Sequence, residues 1–370
     1  MDRPTSLSTQ PDLLRAQVID TVRKHWISPR IAGPAPPVPA SRVEDTARAV
    51  LDGMLTRPFR VGPLPPPDVY DQLLQRVRLM VRRGQPVRVT LGYGPLKNQN
   101  AVAYSRADWA EFFALCHLVA WHNKVQAVYA PGLRIRIIFD DSTLVMANRA
   151  DRGLMKSYMT SVRELIDTLS FGPIIYRPMR QALFAWIFHL GFYQVARWRV
   201  RRWEQDPTHQ AQLQQMHEFA RRNVTLPPGL STQAREQYLR QASHRYRVYW
   251  EALQLSGLTR RKNRVVAMYL DGSQHHIRQT VALHLTTLDK GNVTQPWQGA
   301  GALLDNGHGK LEPFVLTAGR LQRYTVQTVD GLELVPCRGF ERLAVVQACA
   351  TAPGGNGATG ALGPAQTPAP

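Results

Sequence analysis

Between residues 85 and 176 the apolar residues alternate, then recur at helical spacing, then alternate again. Val87, Val89 and Leu91 alternate with Arg88 and Thr90, the period-two pattern of a strand. In "WAEFFALCHLVAWHN", Phe112, Leu115 and Val119 mark one helical stripe. "SRAD" ahead of it reads as a capping box built on Ser105 and Asp108. "VQAVYAPG" reads as a second strand ending in a Pro-Gly turn. "LRIRIIFDD" reads as a third, with Leu133, Ile135 and Ile137 on one face. "ADRGLMKSYMTSVRELIDTL" returns to helix, with Met155, Tyr158, Val162, Leu165 and Leu169 along one side. Strands alternating with helices bury their apolar faces by laying helices over a sheet, which places the chain in the α/β class.

Residues 1–40 are polar and then proline-rich, and read as a flexible segment. Two helices follow: "SRVEDTARAVLDGML", capped by Ser41, and "VYDQLLQRVRLMVRRG", ended by Gly84. From about 178 to 262 the chain reads as a basic helical insertion, with "RWRVRRWEQD", "SHRYRVYW" and "TRRKNR". Strands resume in "VVAMYLDG", "HIRQTVALHLTTLD", "GALLDNG" and "YTVQTVDG". Residues 349–370 are rich in Gly, Pro and Ala and read as disordered. The expectation is one α/β domain over 41–348, its core in 85–176 and 263–348.

The formal net charge of +19 attracts anions. Nucleic acid, an acidic membrane surface, an acidic carrier protein and a phosphorylated small molecule all satisfy it. Three widely spaced cysteines make neither a disulfide framework nor a zinc pattern, which suits a reducing cytoplasm. "ALFAWIFHLGFYQVARW" is short for a membrane span and holds His189 and Gln194. It reads as a buried or interface-packed helix, so the expectation is a cytoplasmic protein with no membrane partner.

Four clusters could carry chemistry. The loop "LGYGPLKNQN" leaves the carboxyl end of a strand, where open α/β sheets bind ligands. It fits neither the dinucleotide fingerprint nor the Walker loop. Lys97 offers a point charge, and the amides of Asn98 and Asn100 can donate or accept. A tight turn with a solvated lysine explains the same residues. Asp140 and Asp141 end another strand, where they could bind metal, anchor an amine, act as a base or simply form a turn. In "HHIRQTVALHL", Arg278 could grip a carboxylate or phosphate and His284 could move protons. Their separation, roughly 20 Å along a straight strand, keeps both from one reacting atom. In "TQPWQGAG", Trp297 could stack on a ring or belong to the core. Arg88 and Tyr93, on the strand before the loop, join the substrate-binding candidates. No metal site is expected; His117 and His122 lack the spacing for one.

In order, "GYGPLKNQN", "RADWAE", "VYAPGLRIRIIFDD", "IRQTVALH" and "TQPWQG" resemble the landmarks of the pyoverdine/dityrosine biosynthesis family, which includes isocyanide (isonitrile) synthases. The resemblance covers about 85–176 and 265–310 and finds no counterpart for the basic helical stretch. It implies a Rossmann-like mixed sheet flanked by helices. It also implies that an amino acid's amine condenses with the ketone of ribulose 5-phosphate, without cofactor, in specialised metabolism. By position, Lys97 and Asn100 take the loop's roles, Asp108 and Glu111 open the helix, and Asp140 is the strand-end carboxylate. That chemistry asks for a cation, a base and an acid, expected to line one cavity. The chain departs from the pattern in the loop at Gly94, Pro95 and Asn98, at Asp141, in the Arg278–His284 spacing and at Gln298, where the family has histidine.

Two alternatives stand beside that reading. One is a related enzyme that makes a different one-carbon-modified amine or acts on a carrier- or tRNA-bound amino acid, with a carrier protein or a downstream oxygenase as partner. The other is a nucleic-acid-binding protein, suggested by arginines interleaved with Trp203, Tyr246, Tyr249 and Trp250.

Overall fold

Strand β1 (Val87–Tyr93) lies between β2 (Leu133–Phe139) and β4 (Val266–Tyr269), parallel to both. With β3 (Ile174–Pro178) and β5 (Val281–Ala282) it forms an all-parallel sheet of order β3-β2-β1-β4-β5. The computed structural model describes residues 11–30, 37–60, 63–94, 96–97, 104–139, 141, 145, 151–178, 191–224, 226–227, 229–255, 266–269, 281–282, 295–307 and 310–349. Along β2 the expected alternation holds: Leu133, Ile135, Ile137 and Phe139 are buried and Arg134 is exposed.

Helix α4 (Trp109–Gln126) crosses from β1 to β2. Nearly every residue of it is buried, not one stripe alone, because it is apolar on all sides. It packs on β2 and also on a second sheet, of order β7-β6-β9-β8. That sheet joins β6 (Ala300–Asp305), β7 (Leu311–Leu316), β8 (Tyr324–Val329) and β9 (Leu343–Ala348), with β6 and β9 parallel and its other pairs antiparallel. Helices α2 (Val43–Met54) and α3 (Pro67–Arg82) pack together, and α5 (Arg152–Thr168) links β2 to β3. No helix of the described residues is long and apolar enough to cross a membrane.

The structure corrects several local readings. "VQAVYAPG" is not a strand: α4 runs to Gln126, and the chain turns at Gly132, whose φ is +59°. Val125 is buried, so it completes the helix's apolar surface instead of starting a strand. The capping box is Asp108 with Glu111, one turn later than Ser105, whose hydroxyl donates to the Leu154 carbonyl. Ser41 sits inside a 3-10 turn (Ala40–Arg42) and caps nothing. Residues 11–25, read as flexible, form helix α1 (Pro11–His25). Its Leu14, Val18 and Val22, spaced i, i+4, i+8, are buried in the main core. The Gly/Pro/Ala tail beyond 349 and most of "ALFAWIFHLGFYQVARW" lie outside the described residues.

The basic stretch contains helices α6 (Tyr193–Glu204), α7 (Gln210–Asn223) and α8 (Thr232–Leu255), with cores of their own. Tyr246 and Tyr249 are buried in those cores. Trp203 is half-buried and stacks on His209. These aromatics hold the helices together and offer no open row of rings for bases. The side chain of Trp250 lies outside the described residues.

Candidate active site

The chain leaves β1 outward to β2 and β3, then returns to pair β4 on the other side of β1. In open α/β sheets such a reversal marks the carboxyl ends of the central strands as the place where ligands bind. β1 ends there at Tyr93, and the glycine loop follows.

Lys97 is buried, and its Nζ lies 3.0 Å from Asp108 Oδ1 and 2.8 Å from Glu111 Oε2. It also donates to the carbonyls of Pro296, at 3.0 Å, and Gly299, at 2.8 Å. An ammonium has three donors, so protein oxygens use them all. The sequence reading offered a phosphate-facing or solvated lysine. The structure instead ties the glycine loop, the amino end of α4 and the turn before β6 together through it.

Asp108 Oδ1 accepts from the amides of Ala110 (2.8 Å) and Gly301 (3.2 Å), and Oδ2 accepts from the Tyr104 hydroxyl (2.6 Å). A Cβ on Gly301 would lie 2.1 Å from the Ala110 amide nitrogen, so only glycine lets β6 reach this cap. Glu111 Oε2 accepts from the Asp108 amide and Oε1 from the Tyr158 hydroxyl, both at 2.8 Å.

The two carboxyls behave differently. Burial drives Glu111 up; Lys97 opposes this and the nearby Asp108 charge adds to it, leaving its pKa at about 8. Burial also drives Asp108 up, but Lys97 and the Tyr104 hydroxyl outweigh it and hold that carboxyl below its ordinary value. Burial opposes the Lys97 charge, yet the two carboxylates raise its pKa. Oε2 of Glu111 meets two N–H donors, so a proton on Glu111 sits on Oε1. The Tyr158 hydroxyl then turns from donor to acceptor.

The Tyr93 hydroxyl is buried beside the Tyr158 hydroxyl, with the Glu111 carboxyl within electrostatic reach. The Tyr93 ring packs edge-on to Phe139 and at 4.6 Å against half-buried Trp297. Gly94 makes room for the indole: a Cβ there would lie 2.4 Å from Trp297 Cδ1.

The structure thus brings together Tyr93, Lys97, Glu111 and Trp297. Arg88 is the exception: it is the second residue of β1, roughly 16 Å from that strand's carboxyl end. Asp141 is buried just past β2, and Tyr93 pairs with Phe139 in register. Gly94 and Asp141 therefore follow neighbouring strands at the same end of the sheet. Asn98, Asn100, Asp140, Arg278 and His284 lie outside the described residues. Among the described residues no cluster of three His, Cys, Asp or Glu has metal-holding geometry.

Tyr104 and Tyr158 escaped the sequence reading. Tyr158 sits on an apolar stripe and passes for core. The usable signal is that a buried tyrosine hydroxyl seeks a partner.

Residues 77–248 match the family model described as pyoverdine/dityrosine biosynthesis protein. The match runs into α8, so most of the basic helical stretch falls within it, against the expectation of a segment without counterpart. The crystal structure of the PvcA protein from Pseudomonas aeruginosa superposes with a TM-score of 0.60 at 17% identity, covering 76% of this chain and 96% of that one. At that identity the likeness concerns the fold. Comparison with curated proteins gives no match.

Proposed function

From the match of residues 77–248 to the pyoverdine/dityrosine biosynthesis family model, we propose that this chain is an isocyanide-synthase-like enzyme of that family. It joins an amino acid's amine to the ketone of ribulose 5-phosphate. The observation that carries this reading is the pair of buried carboxyls with divergent proton affinities, one linked through Tyr158 toward the buried Tyr93 hydroxyl. Divergent carboxyls beyond a strand's carboxyl end suit acid–base work on a neutral substrate atom.

Condensation expels water from a carbinolamine, which needs a proton, and later steps remove protons from carbon. Glu111, protonated up to about pH 8, stores that proton. Tyr158 orients it, and Tyr93 presents the hydroxyl that meets the substrate. Lys97 holds the carboxyl pair in place and leaves the sugar phosphate to another cation. Arg278 is the candidate for that role among the residues named from sequence.

The test is mass spectrometry of an amino-acid panel incubated with carbon-labelled ribulose 5-phosphate. One amino acid should yield a product carrying a single sugar carbon, with the infrared stretch of an isocyanide. Glu111→Gln should lower turnover by roughly 10²-fold or more while the chain stays folded. If no amino acid gives a sugar-dependent product, the reading fails.

One observation favours the related-enzyme alternative. Gln298 stands where the family pattern has histidine, and its Oε1 accepts from the Gln295 amide at 3.0 Å. It completes a local capping box and moves no proton. A labelled product without the isocyanide stretch, or one formed only from carrier-loaded amino acid, would favour that alternative.

A further inference from the structure

The outer face of α6 is unusual for an exposed helix. Trp198 is 58% exposed and Val195, one turn before it, 47%. Arg197, Arg201 and Arg202 are exposed around them, and none pairs with a carboxylate among the described residues. The Arg202 guanidinium lies 5.0 Å over the Trp198 ring. The nearby acids are engaged elsewhere: Glu251 accepts from Arg199 at 2.9 Å, and Glu204 pairs with His244. The face is therefore cationic with an apolar centre, on a chain of net charge +19.

We infer that this face of α6 docks on an anionic membrane surface, with Trp198 at the headgroup level and the three arginines on lipid phosphates. Charge complementarity supports it, since basic side chains near an anionic leaflet bind it and tryptophan favours the interface. Sequence order supports it too. The uncharged run "ALFAWIFHLGF" immediately precedes the basic helix in sequence, so apolar and basic residues adjoin there. Nucleic acid fits less well. Strand binding uses several open rings, whereas among the described side chains of these helices Trp198 is the one ring largely exposed and Arg202 lies over it, while Trp203, Tyr246 and Tyr249 pack within the helical unit. This departs from the expectation of no membrane partner and takes up the acidic membrane surface that the net charge also allowed. It does not depend on the proposed reaction.

The experiment is co-sedimentation of the full chain with vesicles of phosphatidylcholine alone or with about one-third phosphatidylglycerol. The chain should bind only the anionic vesicles, less at high salt. Trp198→Ala should weaken binding roughly tenfold, and Arg201→Glu with Arg202→Glu by more. The control reverses Arg235 and Arg240, exposed on α8, for the same change in net charge. These side chains are exposed, so unchanged circular dichroism is expected throughout. The inference is overturned if anionic vesicles do not bind, if Trp198→Ala binds as well as the parent chain, or if the α8 reversal costs as much as the α6 one. Equal Trp198-dependence toward a single-stranded oligonucleotide would also overturn it, in favour of nucleic acid.

Discussion

Glu111 carries a cost that the free protein does not recover. The Glu111 pKa is raised from 4.5 to about 8, so between those values the folded chain holds a proton that the unfolded chain releases. Stability from this group is therefore full below about pH 4.5 and declines as pH rises toward 8. Asp108 runs the other way: its folded pKa is depressed below 3.8, and its contribution is lost only as pH falls through that lower value. The expected outcome is a melting temperature that declines from about pH 5 to pH 8 in the parent chain and stays flat in Glu111→Gln. Equal slopes in calorimetry would count against a raised Glu111. Tyr93→Phe removes only the hydroxyl, so denaturant unfolding should change by no more than about 1 kcal/mol. Turnover should fall in the same variant if that hydroxyl meets the substrate. The Asp108–Glu111 spacing was visible in "DWAE", but the Lys97 contact that makes it a site spans the chain from 97 to 299 and was not.

At the level of elements, α4 and β6 meet through backbone. Gly301→Ala would push a methyl into the Ala110 amide and separate β6 from the cap, at a cost of about 3 kcal/mol. Equilibrium unfolding measures it. Lys97→Met leaves two buried carboxyls without their counter-charge and should cost about 3–5 kcal/mol, so lost activity in that variant reports on folding as well as on chemistry. Glu111→Gln is the cleaner probe because it keeps shape and hydrogen-bonding capacity. Strands β1 and β2 were legible because one face of each is buried and the other is more open. α4 was legible as a helix, but its all-round burial was not foreseen. "VQAVYAPG" misled because β-branched and aromatic residues suit a strand, yet Val125 was already committed to the helix packed beneath it.

Across the whole molecule, α1 lies against the second sheet. Arg15 donates to the carbonyls of Asp330 (2.9 Å) and Gly331 (2.7 Å), and Leu14, Val18 and Val22 enter the main core. A chain lacking residues 1–30 should lose about 5 kcal/mol or more, read from its denaturation midpoint. An unchanged midpoint would show that α1 is dispensable. The sequence by itself determined the α/β class, the strands β1 and β2 and the glycine loop at a strand's end, because periodicity and turn chemistry act over a few residues. Only the tertiary structure decided that Lys97 is a buried counter-ion, that Tyr158 belongs to the site, and that Tyr246 and Tyr249 of the basic helices lie inside while Trp198 faces out. Burial sets those roles by removing water from each charge and ring, and burial depends on segments that meet only after the chain has folded.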